Sequence, residues 1–287
     1  MATIKVIMLT YNAGSGFDRV LAALLKQKGI SPVDILVIDS SSTDGTIELV
    51  QKAGISLCVI AKETFGHGKT RQLALAKQGK ADVVIYLTQD ALLADEDAIL
   101  SLCRFLEQEE QLAAAFAQQI PYPEMSCFSQ FARFYNYGDK SYIRSFADRK
   151  KYGIKTVFFS DCFAAYKTKY LQAVGGFMDV SFGEDTCMAA KLLMAGYKVG
   201  YCAQAKAYHS HNYSLREDFA RYRVIGKFHK QQAWLLDTFG KAGGEGIAFV
   251  RAEIEFLNKN GKQSLLPLAL VRNMAKFIGY RIGLAGL

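Results

Sequence analysis

The amino-acid sequence predicts an α/β fold, a mixed sheet flanked by helices and continued by a mainly helical tail, and three observations lead there. Short apolar, β-branched runs alternate with amphipathic helical stretches through the first half. Polar clusters containing acids stand where those apolar runs end, the place where open α/β sheets bind ligands. Beyond Ser214 the strand patterning stops and helical patterning persists.

Residues 4–9 are apolar and β-branched and predict the first strand, and 18–28 an amphipathic helix. A second strand is expected at 34–38, then a polar turn and a helix over 43–53. Residues 57–61 predict a third strand, and a Gly-containing loop at 64–69 opens a helix that runs to about Gln78. The strongly apolar stretch 81–87 predicts a fourth strand, 95–110 a helix and 113–118 another strand. After Pro121 the pattern changes: 128–155 is rich in aromatic and basic side chains, for which core packing is the plainer role. A strand at 157–166, a short helix at 169–174, a helix at 184–195 capped by Gly196 and a strand at 198–203 complete the reading.

The bulk composition supports a packed domain and narrows the partners. With 51% hydrophobic and 22% charged residues in 287, the chain has ample core material and no disordered signature. Six cysteines are scattered singly, as in a reduced cytosolic protein. The first strand begins almost at once, with no signal-peptide pattern before it, which argues against export. No run of about 18 uncharged apolar residues predicts a spanning helix. The net charge is +8, and the segment 213–287 carries +6 of it, with twelve Lys/Arg against six Asp/Glu. Such a tail suits an anionic membrane surface, nucleic acid or an ordinary solvated helical face.

Four polar clusters carry the chemistry. Thr10-Tyr11-Asn12 ends the first strand and Asp39 the second, where a short acid can accept hydrogen bonds from a ribose or a base; a turn with a helix N-cap also accounts for 39–46. Phe65-Gly66-His67-Gly68-Lys69-Thr70-Arg71 precedes a helix, and its glycines and cations suit a phosphate, although a plain surface loop has the same composition and the Walker A spacing is absent. Thr88-Gln89-Asp90 exposes an acid at the end of a buried strand, where it can hold a divalent ion or cap the next helix. Glu184-Asp185 opens a helix whose dipole favours acids there, and a carboxylate in that place can equally take a proton from an attacking hydroxyl. The pair His209-x-His211 follows, with both rings on one side of an extended segment.

In order and spacing, VIMLTYN, VIDSSSTDGT, FGHGKTRQLA, YLTQDA, FGEDTCMAAKLLMAGY and YHSHNYS together resemble the family 2 glycosyltransferases, and within them the bacterial rhamnosyltransferases, over about residues 4 to 230. The resemblance implies a GT-A-type, Rossmann-like fold. A catalytic domain would span 1–212, with a nucleotide-sugar half to about 120 and an acceptor half over 121–212, and 213–287 would form a basic helical extension. It assigns Thr10, Tyr11, Asn12, Asp39, Ser41, His67, Arg71 and Gln89 to the nucleotide, and Asp90 and His209 to a metal, Mg²⁺ or Mn²⁺. Asp185 would be the general base with Glu184 its neighbour, and Asp161 and His211 would meet the acceptor. The family's first metal-motif acid is replaced here by Thr88, and Lys69 follows Gly68 where relatives often carry a small residue.

The implied reaction is a single in-line displacement from a nucleotide-sugar donor, dTDP-L-rhamnose, to a hydroxyl of a saccharide or a polyprenyl-diphosphate-linked saccharide. A UDP-sugar donor is the alternative within the family; outside it stand a nucleotidyltransferase and a noncatalytic carbohydrate- or nucleic-acid-binding protein. The rhamnosyltransferase reading expects no nucleic acid partner and a cytoplasmic enzyme, peripheral on the inner face of the membrane. The apolar segment 265–287 is interrupted by Arg272, Lys276 and Arg281, which suits a helix lying on a membrane with its cations at anionic head groups; a helix packed on its own domain or on a homodimer partner fits the same spacing.

Overall fold

The computed structural model describes residues 2–240 and 244–286 and confirms the α/β class. In chain order the first elements are β1 (Ile4–Thr10), α1 (Phe17–Leu25), β2 (Ile35–Asp39), α2 (Thr46–Lys52), β3 (Ser56–Val59), α3 (His67–Lys77), β4 (Val83–Thr88), β5 (Leu92–Leu93), α4 (Ala98–Glu107) and β6 (Leu112–Ile120). Then come α5 (Cys127–Asn136), β7 (Tyr142–Arg144), α6 (Arg149–Tyr152), β8 (Phe163–Lys167), α7 (Thr168–Ala173), α8 (Glu184–Met194) and β9 (Lys198–Tyr208). The tail is α9 (Leu215–Gln231), α10 (Ala233–Phe239), α11 (Glu245–Lys259) and α12 (Leu266–Ala285).

The chain forms two compact units. The first holds the described residues up to Gln119, Asp139–Phe146 and Phe158–His209; the second holds Ile120–Gly138, Ala147–Val157 and the described residues from Ser210 on. The second unit therefore takes in, besides the tail, two segments of the aromatic and basic stretch.

In the first unit one sheet runs in the order β3-β2-β1-β4-β8-β6-β9-β5, with β7 beside β9. β3, β2, β1 and β4 are parallel, and β8 enters antiparallel to both β4 and β6. Helices cover both faces, so the central strands are apolar at nearly every position rather than alternating. Val6, Met8, Val37 and Ile85 join Val20, Leu21 and Leu24 of α1 and Leu102 and Leu106 of α4 in one core cluster. Tyr86, next in β4, points the other way and donates its hydroxyl to the Arg71 carbonyl of α3.

The element boundaries differ from expectation where tertiary pairing decides them. β9 extends to Tyr208 because Ala203, Ala205 and Ala207 alternate inward against exposed Gln204 and Lys206, and its far end pairs with the short β5. The strand expected at 157–166 is shorter, since Gly153–Val157 winds as a 3₁₀ turn and pairing with β4 begins only at Phe163.

In the second unit α9 opens on a reciprocal cap: Glu217 N–H donates to Ser214 Oγ, and the Glu217 carboxylate accepts from Ser214 N–H. α12 packs along α9. The inward polar groups of α12 pair with both α9 and α11: Arg272 meets buried Asp218 of α9 at 2.6 Å and Asn273 donates to buried Glu253 of α11 at 2.6 Å. The Lys276 ammonium lies 5.0 Å from the Phe249 ring. Arg272 and Lys276 thus face inward, as in the packed-helix alternative rather than the one with cations at head groups; only Arg281 of the three is exposed. No helix among the described residues is long and apolar enough to cross a membrane.

Candidate active site

The carboxyl ends of β1, β2 and β4 and the amino end of β8 lie side by side in the sheet, and the polar clusters sit there. Asp39 is fully buried, and its Oδ2 accepts from Thr10 Oγ1 at 2.8 Å and from Ser42 Oγ at 2.6 Å, while Oδ1 accepts from Ser42 N–H at 2.7 Å. Asn12 holds a positive φ of 42° and its side-chain oxygen accepts from Thr43 N–H. Ser41, also left-handed at φ 62°, donates its hydroxyl to the Ile60 carbonyl. Both are non-glycine residues in a strained region, each held there by a side-chain bond to a neighbouring loop.

Tyr11 presents an exposed ring whose hydroxyl accepts from Lys62 Nζ at 2.6 Å. Its backbone is gripped on both sides by one amide: Tyr11 N–H donates to Gln89 Oε1 at 2.8 Å and Gln89 Nε2 donates to the Tyr11 carbonyl at 3.2 Å. Gln89 therefore supports the residue expected at the nucleoside.

Arg71 is buried. Its Nε lies 3.0 Å from Asp161 Oδ2 and its Nη1 pairs with Glu184 Oε1, so one guanidinium joins residues that the sequence assigned to nucleotide, acceptor and catalysis. Tyr166 donates its hydroxyl to Asp161 Oδ1 at 2.5 Å. Burial pushes Asp161 up to about 6, Arg71 opposing it and the nearby Asp185 charge adding to it. Half-buried Asp185 is likewise pushed up to about 6, by its own desolvation first and then by Glu184. Glu184 is raised for the same reason and pulled back by Arg71. His67 is exposed at the start of α3. Gly68 beside it is required for packing: a Cβ there would stand 1.9 Å from the Met178 carbonyl oxygen.

Asp90 Oδ1 accepts from Thr88 Oγ1 at 2.7 Å, and its Oδ2 lies 3.3 Å from His209 Nε2. His209 Nδ1 bonds Gln119 Oε1 at 2.8 Å, and Gln119 Nε2 donates to Ser160 Oγ at 2.8 Å. With the Gln119 amide nitrogen on Ser160, its oxygen faces the imidazole, a pairing that calls for the proton on Nδ1. Nε2 then turns a lone pair toward a carboxylate, an arrangement that a cation between them satisfies. An imidazole nitrogen and a carboxylate oxygen, with the far ring nitrogen anchored, make a donor set that fits a divalent cation. His211 belongs to the second unit, where its ring centre lies 5.7 Å from that of Tyr213.

Sequence reasoning passed over Lys62, Ser42, Gln119 and Tyr166. Gln118-Gln119 at the end of the buried alanine-rich β6 repeats the signal that singled out Asp39 and Asp90, a polar pair closing an apolar strand.

Comparison with known proteins places this geometry. A family model described as Glycosyl transferase family 2 matches residues 5–175. The chain is 46% identical over 282 residues to the O-antigen chain rhamnosyltransferase RfbN of Salmonella typhimurium, covering 98% of this chain and 89% of that protein. It is 41% identical to the O-antigen chain rhamnosyltransferase WbaN of Salmonella anatum, covering 99% and 90%. Among solved structures, the mannosyltransferase PcManGT of Pyrobaculum calidifontis, in complex with GDP-Man and Mn²⁺, superposes with a TM-score of 0.67 at 20% identity over 99% of this chain and 86% of that one. TarS of S. aureus in complex with UDP-GlcNAc superposes at 0.55 and 17%, over 99% and 91%. These two share the fold.

Proposed function

Because the chain belongs to glycosyl transferase family 2, we propose that it moves L-rhamnose from dTDP-L-rhamnose, with inversion, to a hydroxyl of a saccharide or polyprenyl-diphosphate-linked saccharide in O-antigen synthesis, working in the cytoplasm. The observation that carries this reading is the 46% identity to an O-antigen rhamnosyltransferase, sustained over 98% of the chain.

In this reading Tyr11, backed by Gln89, and Asp39, with Thr10, Asn12 and Ser41 around it, form the nucleoside site. His67 stands at the exposed start of α3, where free N–H groups favour a diphosphate. Asp90 and His209 would hold a divalent ion, which when bound neutralises charge developing on the leaving diphosphate. Asp185, at about 6, is mainly ionised at neutral pH and still basic enough to accept the acceptor's hydroxyl proton as that oxygen attacks the anomeric carbon. Arg71 opposes the upward push that burial gives Glu184, and Asp161 borders the acceptor. From a β-linked donor, inversion gives an α-rhamnoside.

The test is calorimetric titration with dTDP, UDP and GDP, with and without Mn²⁺, followed by transfer from the preferred donor. Tight metal-dependent dTDP binding and rhamnosyl transfer are expected. A preference for UDP overturns the donor, and binding of none overturns the reading.

A further inference from the structure

α12 is an amphipathic helix turned inside out. Viewed down its axis, Leu270, Val271, Met274, Phe277 and Ile278 lie within about a 120° arc. They are 60%, 51%, 59%, 61% and 42% exposed. The opposite side carries Ala269, Arg272, Lys276, Gly279 and Gly283 against the rest of the second unit. Contiguous apolar surface of this size marks an interaction site more often than chance exposure.

This rotation is locked from within. A Cβ at Gly279 would stand 2.4 Å from the Phe219 carbonyl oxygen of α9, and one at Gly283 2.0 Å from that of Arg223. From the other helix, a Cβ at Gly226 would stand 2.2 Å from the Tyr280 carbonyl oxygen of α12. The backbones therefore touch where only glycine fits. Arg272 on Asp218 and Asn273 on Glu253 add directional bonds that a rotated helix would leave broken and buried. The apolar stripe cannot turn inward without losing all of these contacts.

The surface of α9 beside α12 is basic, and so is the C-terminal end of the stripe. Gly283 rests on the Arg223–Lys227 turn of α9, and Lys230 Nζ donates to the Ala285 carbonyl at 2.6 Å, so exposed Arg223, Lys227 and Lys230 run beside α12, with Arg281 exposed on α12 itself. α12 contains no acid, and the acids of α9 are confined to its first turn, where Asp218 is spent on Arg272. A second copy on this face would bring two basic borders together with no carboxylate to pair them. An anionic bilayer complements both parts, taking apolar side chains below its head groups and cations among them.

We infer that the outer face of α12, from Leu270 to Arg281, lies in the interfacial layer of an anionic membrane, with Arg223, Lys227 and Lys230 of α9 at the head groups. The helix lies along the surface and does not span it. This assignment stands apart from the sugar-transfer reading, because its test involves no nucleotide and no acceptor.

The test is co-sedimentation of the full chain with vesicles of phosphatidylethanolamine and phosphatidylglycerol, and with vesicles of phosphatidylcholine alone. Binding is expected to the anionic vesicles, weakening as salt is raised. Met274→Glu together with Phe277→Glu should reduce the bound fraction about tenfold or more, with an unchanged melting temperature, since both side chains are exposed. Phe277→Trp supplies a second readout: the introduced indole should be quenched by bromine-labelled lipid. A wild-type chain left in the supernatant with both vesicles, an unquenched indole or undiminished binding by the double variant overturns the inference. Equal binding to neutral vesicles overturns its electrostatic half. A dimer that the double variant dissociates would assign the face to a second copy instead.

Discussion

His209 Nε2 and Asp90 Oδ2 stand 3.3 Å apart, and the far nitrogen of the same ring is held by Gln119 at 2.8 Å. The imidazole is thus aimed by a residue 90 positions away in sequence, and its Nε2 and the carboxylate face each other. Gln119→Leu should leave both proposed ligands in place but free the ring to turn. We expect metal affinity to fall roughly 10- to 100-fold, read as the Mn²⁺ concentration needed for half-maximal dTDP binding.

Gln89 grips Tyr11 through both ends of its amide. Gln89→Glu keeps the acceptor and loses the donor, placing a carboxylate against the Tyr11 carbonyl. The KM for the donor should rise about five- to tenfold with kcat little changed, because about 1 kcal/mol of positioning is lost before chemistry begins. Equal loss in kcat would show that the amide acts on the reaction instead.

Asp185 is the proposed base and is pushed up to about 6. The rate of transfer at low substrate should fall on acidification with a midpoint near that value, as the base takes up a proton. Asp185→Asn should abolish transfer at every pH while dTDP binding, measured by calorimetry, survives. Retained transfer in this variant would remove Asp185 from the chemistry.

Arg71 neutralises Asp161 and Glu184 in the interior. Arg71→Ala leaves those carboxylates buried without a cation, which costs about 3–5 kcal/mol. The pH dependence has a defined sign. Without Arg71 both acids have folded pKa values further above their unfolded ones, so the folded state binds more protons than the unfolded state and stability rises as pH falls. Melting curves of the variant should show a smaller deficit near pH 5 than near pH 8. A deficit independent of pH would mean that lost packing, rather than charge, is responsible.

Gly68→Ala would drive a Cβ into the Met178 carbonyl. The start of α3 must then shift from the 178–184 segment, and we expect a loss of about 1–3 kcal/mol by chemical denaturation.

Much of the first unit was legible in the chain. β1 and β4 are buried on both faces, so their apolar runs needed no partner to be recognised, and acids at strand ends stood out against them. The partners of Arg71 were not legible: a cation after a glycine loop suits phosphate, and nothing local says that Asp161, 90 positions away, and Glu184, 113 away, pair with it. α12 illustrates the same limit. Its period separates an apolar from a basic side, but which side faces inward depends on Asp218 and Glu253 in other helices and on glycine contacts with α9. Helix α5 (Cys127–Asn136) was hidden for another reason, since its aromatic residues are shared among cores and surfaces alike.

Three carboxylates, Asp161, Glu184 and Asp185, share the single guanidinium of Arg71. The cluster therefore carries surplus negative charge in a place that solvates it poorly, and one added proton relieves it. A proton taken from an acceptor hydroxyl would find a resting place there, with no need to reach bulk water during the reaction. Bond formation and proton release become separable events, and a pH indicator in a rapid-mixing experiment should register the proton only after the new glycosidic bond has formed.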